Sequence, residues 1–351
     1  MRAMATPRTT SNRALAALIG SFLSLAATGL VIDSAAQASS SGVGCSGSYG
    51  WPVKPFDRQH PVRGNFGDPR TVFDGRRSQS TVDSGDGLFQ FHHGVDISAP
   101  DGSPVYAVAD GTITRTHGDR VTVECGNGRA IQYWHVTVTA VRVGQHAVAG
   151  KTVLGHILPK REHVHLTQLE NGSPVNPLAN ARLEPYRDRT RPSVLAVSFR
   201  RSDLGAVIRP DRISGRVQAY VQAADMPALP VPGRWHGFPV TPALVTWRIE
   251  TARGRVVLAD RVAWDARRTI PTTDAFWLTY ARGSHQNWPV FSDGKARGMT
   301  GRYVFRLSSG ALDTDDLAPG TYVLVVRVAD TAGNRDAMRL GFRVGGDLSG
   351  S

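Results

Sequence analysis

The run His92-His93-Gly94-Val95-Asp96-Ile97 decides how this chain is read. The spacing from His92 to Asp96 would suit one helical turn, but Gly94 and the β-branched Val95 and Ile97 disfavour helix. The run therefore reads as a loop entering a strand, with Gly94 letting the backbone bend so that His92 and Asp96 converge. Downstream, His163-Val164-His165-Leu166 alternates polar and apolar side chains. On a strand, His163 and His165 share one face, and Val164 and Leu166 share the other. Between the two runs stands Tyr133-Trp134-His135. His92, Asp96 and one member of the His163/His165 pair make the set zinc takes in hydrolases, three protein ligands with a fourth position for water. The remaining histidines suit the acid/base work of metal-assisted hydrolysis.

Working outward, residues 105–108, 112–115, 120–124, 130–135 and 164–169 are short β-type runs separated by Gly, Pro, Asp and Asn. No long amphipathic helix period appears, so residues 51–183 read as an antiparallel β domain and not a βαβ one. The charged, Pro-bounded stretch 184–192 reads as a linker. Beyond it, 193–345 carries strand-like runs at 194–199, 213–221, 244–250, 256–258, 303–307, 321–329 and 340–344. Pro319-Gly320-Thr321-Tyr322, followed by an apolar run and Asp330-Thr331-Ala332-Gly333-Asn334, resembles the last hairpin of bacterial immunoglobulin-like domains. About seven strands with regular turns suit a β-sandwich. The Pro- and aromatic-rich stretches 227–242 and 277–291 read as insertions and as a binding face, although Trp235, Trp277, Trp288 and Phe291 are first of all packing residues. The expected fold is mainly β throughout.

The residues also carry a family resemblance. His92-x-Gly94-x-Asp96 is followed by Ala99-Pro100-Asp101-Gly102-Ser103-Pro104-Val105, and then in order by Ala109-Asp110-Gly111, Tyr133-x-His135, Val143-Gly144-Gln145, His163-x-His165 and Val175-Asn176-Pro177. This order resembles the lysostaphin-type zinc endopeptidases, which cut peptide bonds of bacterial cell-wall peptidoglycan. The resemblance implies an antiparallel metallopeptidase domain over 51–183, with His92, Asp96 and His165 as Zn²⁺ ligands. It implies that His163 and His135 handle the attacking water and the oxyanion. Two features depart from the pattern: Leu158-Pro159-Lys160-Arg161-Glu162 replaces a Gly/Ser/Thr-rich loop, and Thr167 stands where an aromatic is usual. The polar stretch 74–80 reads as an exposed loop near the groove. His93, His117, His146 and His156 sit in no ligand-like pair and are assigned no role.

Arg2, Arg8 and Arg13, an apolar run, and Ala36-Gln37-Ala38 read as a secretory signal peptide over 1–38, followed by a linker over 39–50. The alternative is an uncleaved membrane anchor. Residues 346–351 form a tail. Export to the cell envelope fits the even pair Cys45 and Cys125, which reads as a disulfide in an oxidising compartment. The net charge is +12, and cleavage removes three Arg and Asp33, leaving +10. Such an excess favours acidic polymers, here wall-linked polyanions or the carboxylates of peptidoglycan stems, and the alternative reading is a composition bias that spreads Arg along the chain. No nucleic-acid fold signature accompanies it.

The expected function is that of a secreted Zn²⁺-dependent endopeptidase acting on peptidoglycan peptides, with no stable membrane anchor after cleavage. The sandwich would hold it at the wall or to a partner. Two rivals stand beside it: a non-catalytic wall-binding or hydrolase-activating protein that keeps an intact groove, and a metallopeptidase of exported proteins.

Overall fold

Strand Val95–Ser98 pairs antiparallel with strand His163–Glu170, setting Asp96 opposite His165 and Ser98 opposite His163. On its other side His163–Glu170 pairs with Arg129–Trp134, and Trp134 then lies opposite His165. These strands belong to an eight-stranded sheet that continues outward through Val62–Gly64 at one edge and through Arg120–Gly126, Gly111–His117 and His146–Ala147 at the other. Alternation sends Val95, Ile97, Val164, Leu166, Ile131, Tyr133, Val121 and Val123 into a shared core, all fully buried. Burying each such side chain is worth about 1.5–3 kcal/mol, so the apolar face locks the register and with it the positions of the polar residues opposite. A three-stranded sheet of Pro104–Tyr106, Val153–Ile157 and Val136–Thr137 completes this half.

The computed structural model describes residues 44–345 except 46, 74–84, 86, 139–140, 289, 292–298 and 309. The expected signal peptide, the C-terminal tail and the polar loop 74–80 lie outside the described residues. Cys45 and Cys125 are joined in a disulfide, with Cα atoms 5.8 Å apart, tying the N-terminal segment to the Arg120–Gly126 strand.

The second half holds a five-stranded sheet built on Ser193–Arg200 and Arg216–Ala224, and a four-stranded sheet ordered Val256–Asp265, Leu244–Thr251, Gly320–Ala329, Arg335–Val344. All pairings within these two sheets are antiparallel. Phe199 of one sheet meets Phe342 of the other at 5.1 Å between ring centroids. The protein is thus mainly β, as expected. The Arg335–Val344 strand is longer than the apolar run 340–344 suggests, because full pairing with Gly320–Ala329 extends it over exposed polar residues.

The two halves meet through an aromatic core. Phe91 stacks on Trp264 at 5.4 Å and lies against Phe276 and Tyr280, while Tyr280 contacts Phe305 at 4.9 Å. Gly67 permits this closeness: it has φ +87°, and a Cβ there would lie 2.4 Å from the Trp264 ring. Strand Val290–Phe291 pairs in parallel with Pro69–Phe73, which itself pairs with Leu88–Phe91. Contacts accordingly place both halves in one compact unit, Ser41–Ser351.

Candidate metal centre

The strand register brings together the three residues implied as ligands. His92 Nε2 lies 2.7 Å from His165 Nδ1 and 3.1 Å from Asp96 Oδ1, and His165 Nδ1 lies 3.1 Å from the same oxygen. All three residues are buried, with exposures of 4%, 6% and 9% for His92, Asp96 and His165. The remaining atoms of each group are held in place. His92 Nδ1 lies 2.8 Å from both Asn65 O and Arg70 Nη2, and in the tautomer in which Nδ1–H donates to Asn65 the Nε2 lone pair faces the cluster. His165 Nε2 meets Thr167 Oγ1 at 2.8 Å, which gives the departure at 167 a task. Asp96 Oδ2 accepts from Arg70 Nη2 at 2.6 Å, leaving Oδ1 for the cluster. In this tautomer His92 Nε2 and Asp96 Oδ1 are both acceptors, directed at one another and at His165 Nδ1, and the three atoms together make a ligand set that fits a cation.

The electrostatics agree. Burial, helped by Arg70, pushes His92 down to about 3. Burial works against ionisation of Asp96, yet Arg70, His92 and His163 hold its carboxyl well below the usual range. A neutral His92 imidazole beside an ionised carboxylate is the protonation state a divalent metal requires of these two groups.

Gly64 and Gly94 make room for this arrangement. A Cβ on Gly64 would lie 2.5 Å from Arg70 Nη2 and 2.7 Å from Asp96 Oδ2. At Gly94 the reason differs from the expected bend. Gly94 lies outside the left-handed region, and a Cβ there would stand 2.1 Å from Leu166 O, so it is close approach of the neighbouring strand that demands glycine.

His163 and His135 stand beside the cluster, with ring centroids 4.8 Å apart. His163 Nε2 lies 3.5 Å from Asp96 Oδ1, and its Nδ1 lies 2.6 Å from both Arg161 O and Arg63 Nη2. Burial is the largest influence lowering the proton affinity of both rings. His135 does not continue the strand expected over 130–135. Arg129–Trp134 ends before it, and His135 takes φ +66°, a conformation uncommon outside glycine. Its Nδ1 lies 3.0 Å from Asp119 Oδ2.

The groove around these residues encloses about 640 Å³. Its walls include residues to which the sequence pointed weakly or not at all: Arg63, Arg70, His93 and Gln286. Asp119 is likewise missed, because nothing in the turn His117-Gly118-Asp119 reveals that it reaches His135. Trp235 and Trp288 also line the groove, so stretches 227–242 and 277–291 do form a face, directed at the site. Trp277 instead packs on Phe89 and Phe276. Phe291 contributes strand backbone, and its side chain lies outside the described residues.

The model of Peptidase family M23 matches residues 90–177. The DD-carboxypeptidase/endopeptidase Mpg of Neisseria meningitidis is 31% identical over 124 residues, covering 33% of this chain and 28% of that protein. The peptidoglycan DD-endopeptidase ShyA of Vibrio cholerae is 32% identical over 95 residues, covering 24% of this chain and 22% of that protein. The chain therefore spans under a third of the length of these curated relatives. Among solved structures, a zinc containing peptidase from Vibrio cholerae aligns at 21% identity and TM-score 0.28, over 38% of this chain and 39% of that one. Residues 90–177, which carry all five site residues and the strands that position them, are thus the part of the chain that matches peptidase family M23, the lysostaphin-type family their motifs resemble.

Proposed function

We propose that the protein is an exported, Zn²⁺-dependent endopeptidase that hydrolyses peptide bonds of peptidoglycan. The observation that carries this reading is the convergence of His92 Nε2, Asp96 Oδ1 and His165 Nδ1, with His163 and His135 beside them at the floor of one groove. Export is supported by the signal-like N-terminus and by the Cys45–Cys125 disulfide. The charge excess suits retention near anionic wall polymers. The two packed antiparallel sheets of the second half fit an immunoglobulin-like sandwich.

His92, Asp96 and His165 would hold the zinc. When bound, the ion supplies Lewis acidity that acidifies water and polarises a carbonyl. Burial keeps His163 neutral at working pH, so Nε2 can take a proton from water when Nδ1–H donates to Arg161 O. His135, with Nδ1–H directed to Asp119, likewise presents Nε2. As water adds to the scissile carbon, His135 Nε2 takes its proton, and His163, in the tautomer in which Nδ1 accepts from Arg63 Nη2 and Nε2 carries the hydrogen, donates to the developing oxyanion. The proton then passes to the leaving amine nitrogen as the C–N bond breaks. An intact set of five side chains speaks against a groove that only binds.

The test is incubation of the mature chain with purified sacculi, with and without chelator, and mass spectrometry of the released peptides. Zinc-dependent release of new amino and carboxyl termini is expected. Release of nothing, with zinc present, overturns the reading.

A further inference from the structure

The loop that departs from the family pattern is also firmly held. Asp101 accepts backbone hydrogen bonds from Lys160, from Arg161 at 3.1 Å and from Glu162 at 2.7 Å, three successive amides on one carboxylate. Lys160 and Glu162 sit at φ +67° and +54°. Such conformations persist in ordinary residues only where the surroundings impose them, and here Asp101 does so. The backbone of the loop is therefore held against Asp101 beside the groove.

What it presents is positive charge without a counterion. Arg63, Arg70, Lys160, Arg161 and Arg234 all line the groove, against Asp96 as the lining carboxylate. Asp96 is already matched by Arg70. Glu162, the acid of the loop, is taken by Arg234 Nε at 3.0 Å and Trp235 Nε1 at 2.9 Å. The exposed side chains of Lys160 and Arg161 have neither an ion pair nor a hydrogen bond among the described residues. Arg161 stands close enough to His135 to depress its proton affinity, which places this charge beside the paired histidines. The adjoining wall, bonded to the loop through Glu162, comes from the second half. Trp235 stacks on Arg63, whose Cζ lies 3.9 Å from the ring centroid, and Trp288 packs against Trp235 at 5.2 Å and under Arg234 at 4.8 Å.

Two unpaired cations on a clamped loop, next to the paired imidazoles and beside an aromatic wall, call for an anionic partner with planar oxygens. We infer that Lys160 and Arg161 form a carboxylate-binding subsite, so that the preferred substrate is an acidic peptide carrying a free carboxylate close to the bond that is cut. This rests on the peptidase reading of the site and adds a selection rule to it. The Arg234–Trp235 and Trp288 wall would then confine the peptide along the flank it shares with the loop.

The experiment compares two substrates that differ only in charge: purified sacculi with free stem carboxylates, and the same sacculi after carbodiimide-mediated amidation. Full-length protein, K160Q/R161Q and the control R253Q/R255Q, which makes the same charge change outside the groove lining, are each assayed on both. The expected result is that the unaltered protein and the control favour the free-carboxylate substrate about tenfold in kcat/KM, chiefly through KM, and that K160Q/R161Q loses this ratio. No preference in the unaltered protein, an equal preference in K160Q/R161Q, or an equal loss in the control overturns the subsite while leaving hydrolysis standing. If no variant hydrolyses either substrate, the peptidase reading falls. Equilibrium binding of soluble muropeptides, free and amidated, then decides the subsite: carboxylate-dependent binding lost in K160Q/R161Q supports it, and binding that ignores either change overturns it.

Discussion

Asp119 Oδ2 lies 3.0 Å from His135 Nδ1, joining the turn after strand Gly111–His117 to the bend after strand Arg129–Trp134. This pair fixes which nitrogen of His135 keeps its proton and turns Nε2 free. Partners of this kind typically matter by about 10–100-fold when removed. D119A should lower kcat by that order while leaving zinc content and KM near their original values, measured on a released-peptide assay. A D119A enzyme with unaltered kcat would remove His135 from the chemistry.

The ligand assignment predicts about one zinc per chain, from three converging groups. His92→Ala and Asp96→Ala should each lose it in elemental analysis after dialysis, since two ligands rarely hold zinc against exchange. Stoichiometric zinc in both variants would sink the assignment.

The paired histidines should separate. His163→Ala is expected to keep its zinc and lose about 10²–10⁴-fold in turnover, the usual contribution of a positioned acid/base group. His165→Ala should lose the metal. The opposite pattern of metal retention would exchange their roles.

A pH prediction comes from a region away from the groove. Burial, reinforced by Asp188 and Asp330 against the Met226 amide, pushes Asp225 up to about 8. An acid of raised pKa binds more protons folded than unfolded, so stability falls as pH rises between its ordinary 3.8 and about 8. The groups facing it are Asp188, Asp330 and Tyr186, with the Asp188 and Asp330 oxygens in one cluster with its own. D225N keeps the acceptor for Met226 N–H and abolishes the charge. Its Tm should exceed that of the unaltered protein at pH 8, and the difference should shrink toward pH 4. Equal Tm values at pH 8 would show that Asp225 is not forced to ionise there at a cost.

The role expected for the second half changes with the structure in view. As a separate wall anchor it should be removable without loss of peptide cleavage. Trp264, Tyr280 and Phe305 share a core with Phe91, one residue from His92, and Trp235 and Trp288 line the groove. Deleting residues 193–345 should therefore abolish cleavage of even small peptides, together with cooperative unfolding followed by circular dichroism. Retained cleavage by the truncated chain would restore the picture of an independent anchor.

The sequence by itself determined the strands that carry the site, because period-two alternation and β-branching are local properties: His163 and His165 on one face follow from Val164 and Leu166 on the other. It also determined, by motif order, the candidate ligands His92, Asp96 and His165. What it could not contain is anything set by pairing between distant segments. That Asp96 lies opposite His165 depends on strand register, which is fixed only when the apolar faces of both strands are buried together. The same holds for Arg70 at Asp96, Asp119 at His135 and Thr167 at His165, polar contacts whose members carry no local signature. Least legible of all was the groove wall made by Trp235 and Trp288. Their stretches look like insertions in the chain, and only the aromatic core between the halves turns them toward a site whose nearest residue in sequence, His165, lies 70 positions before Trp235.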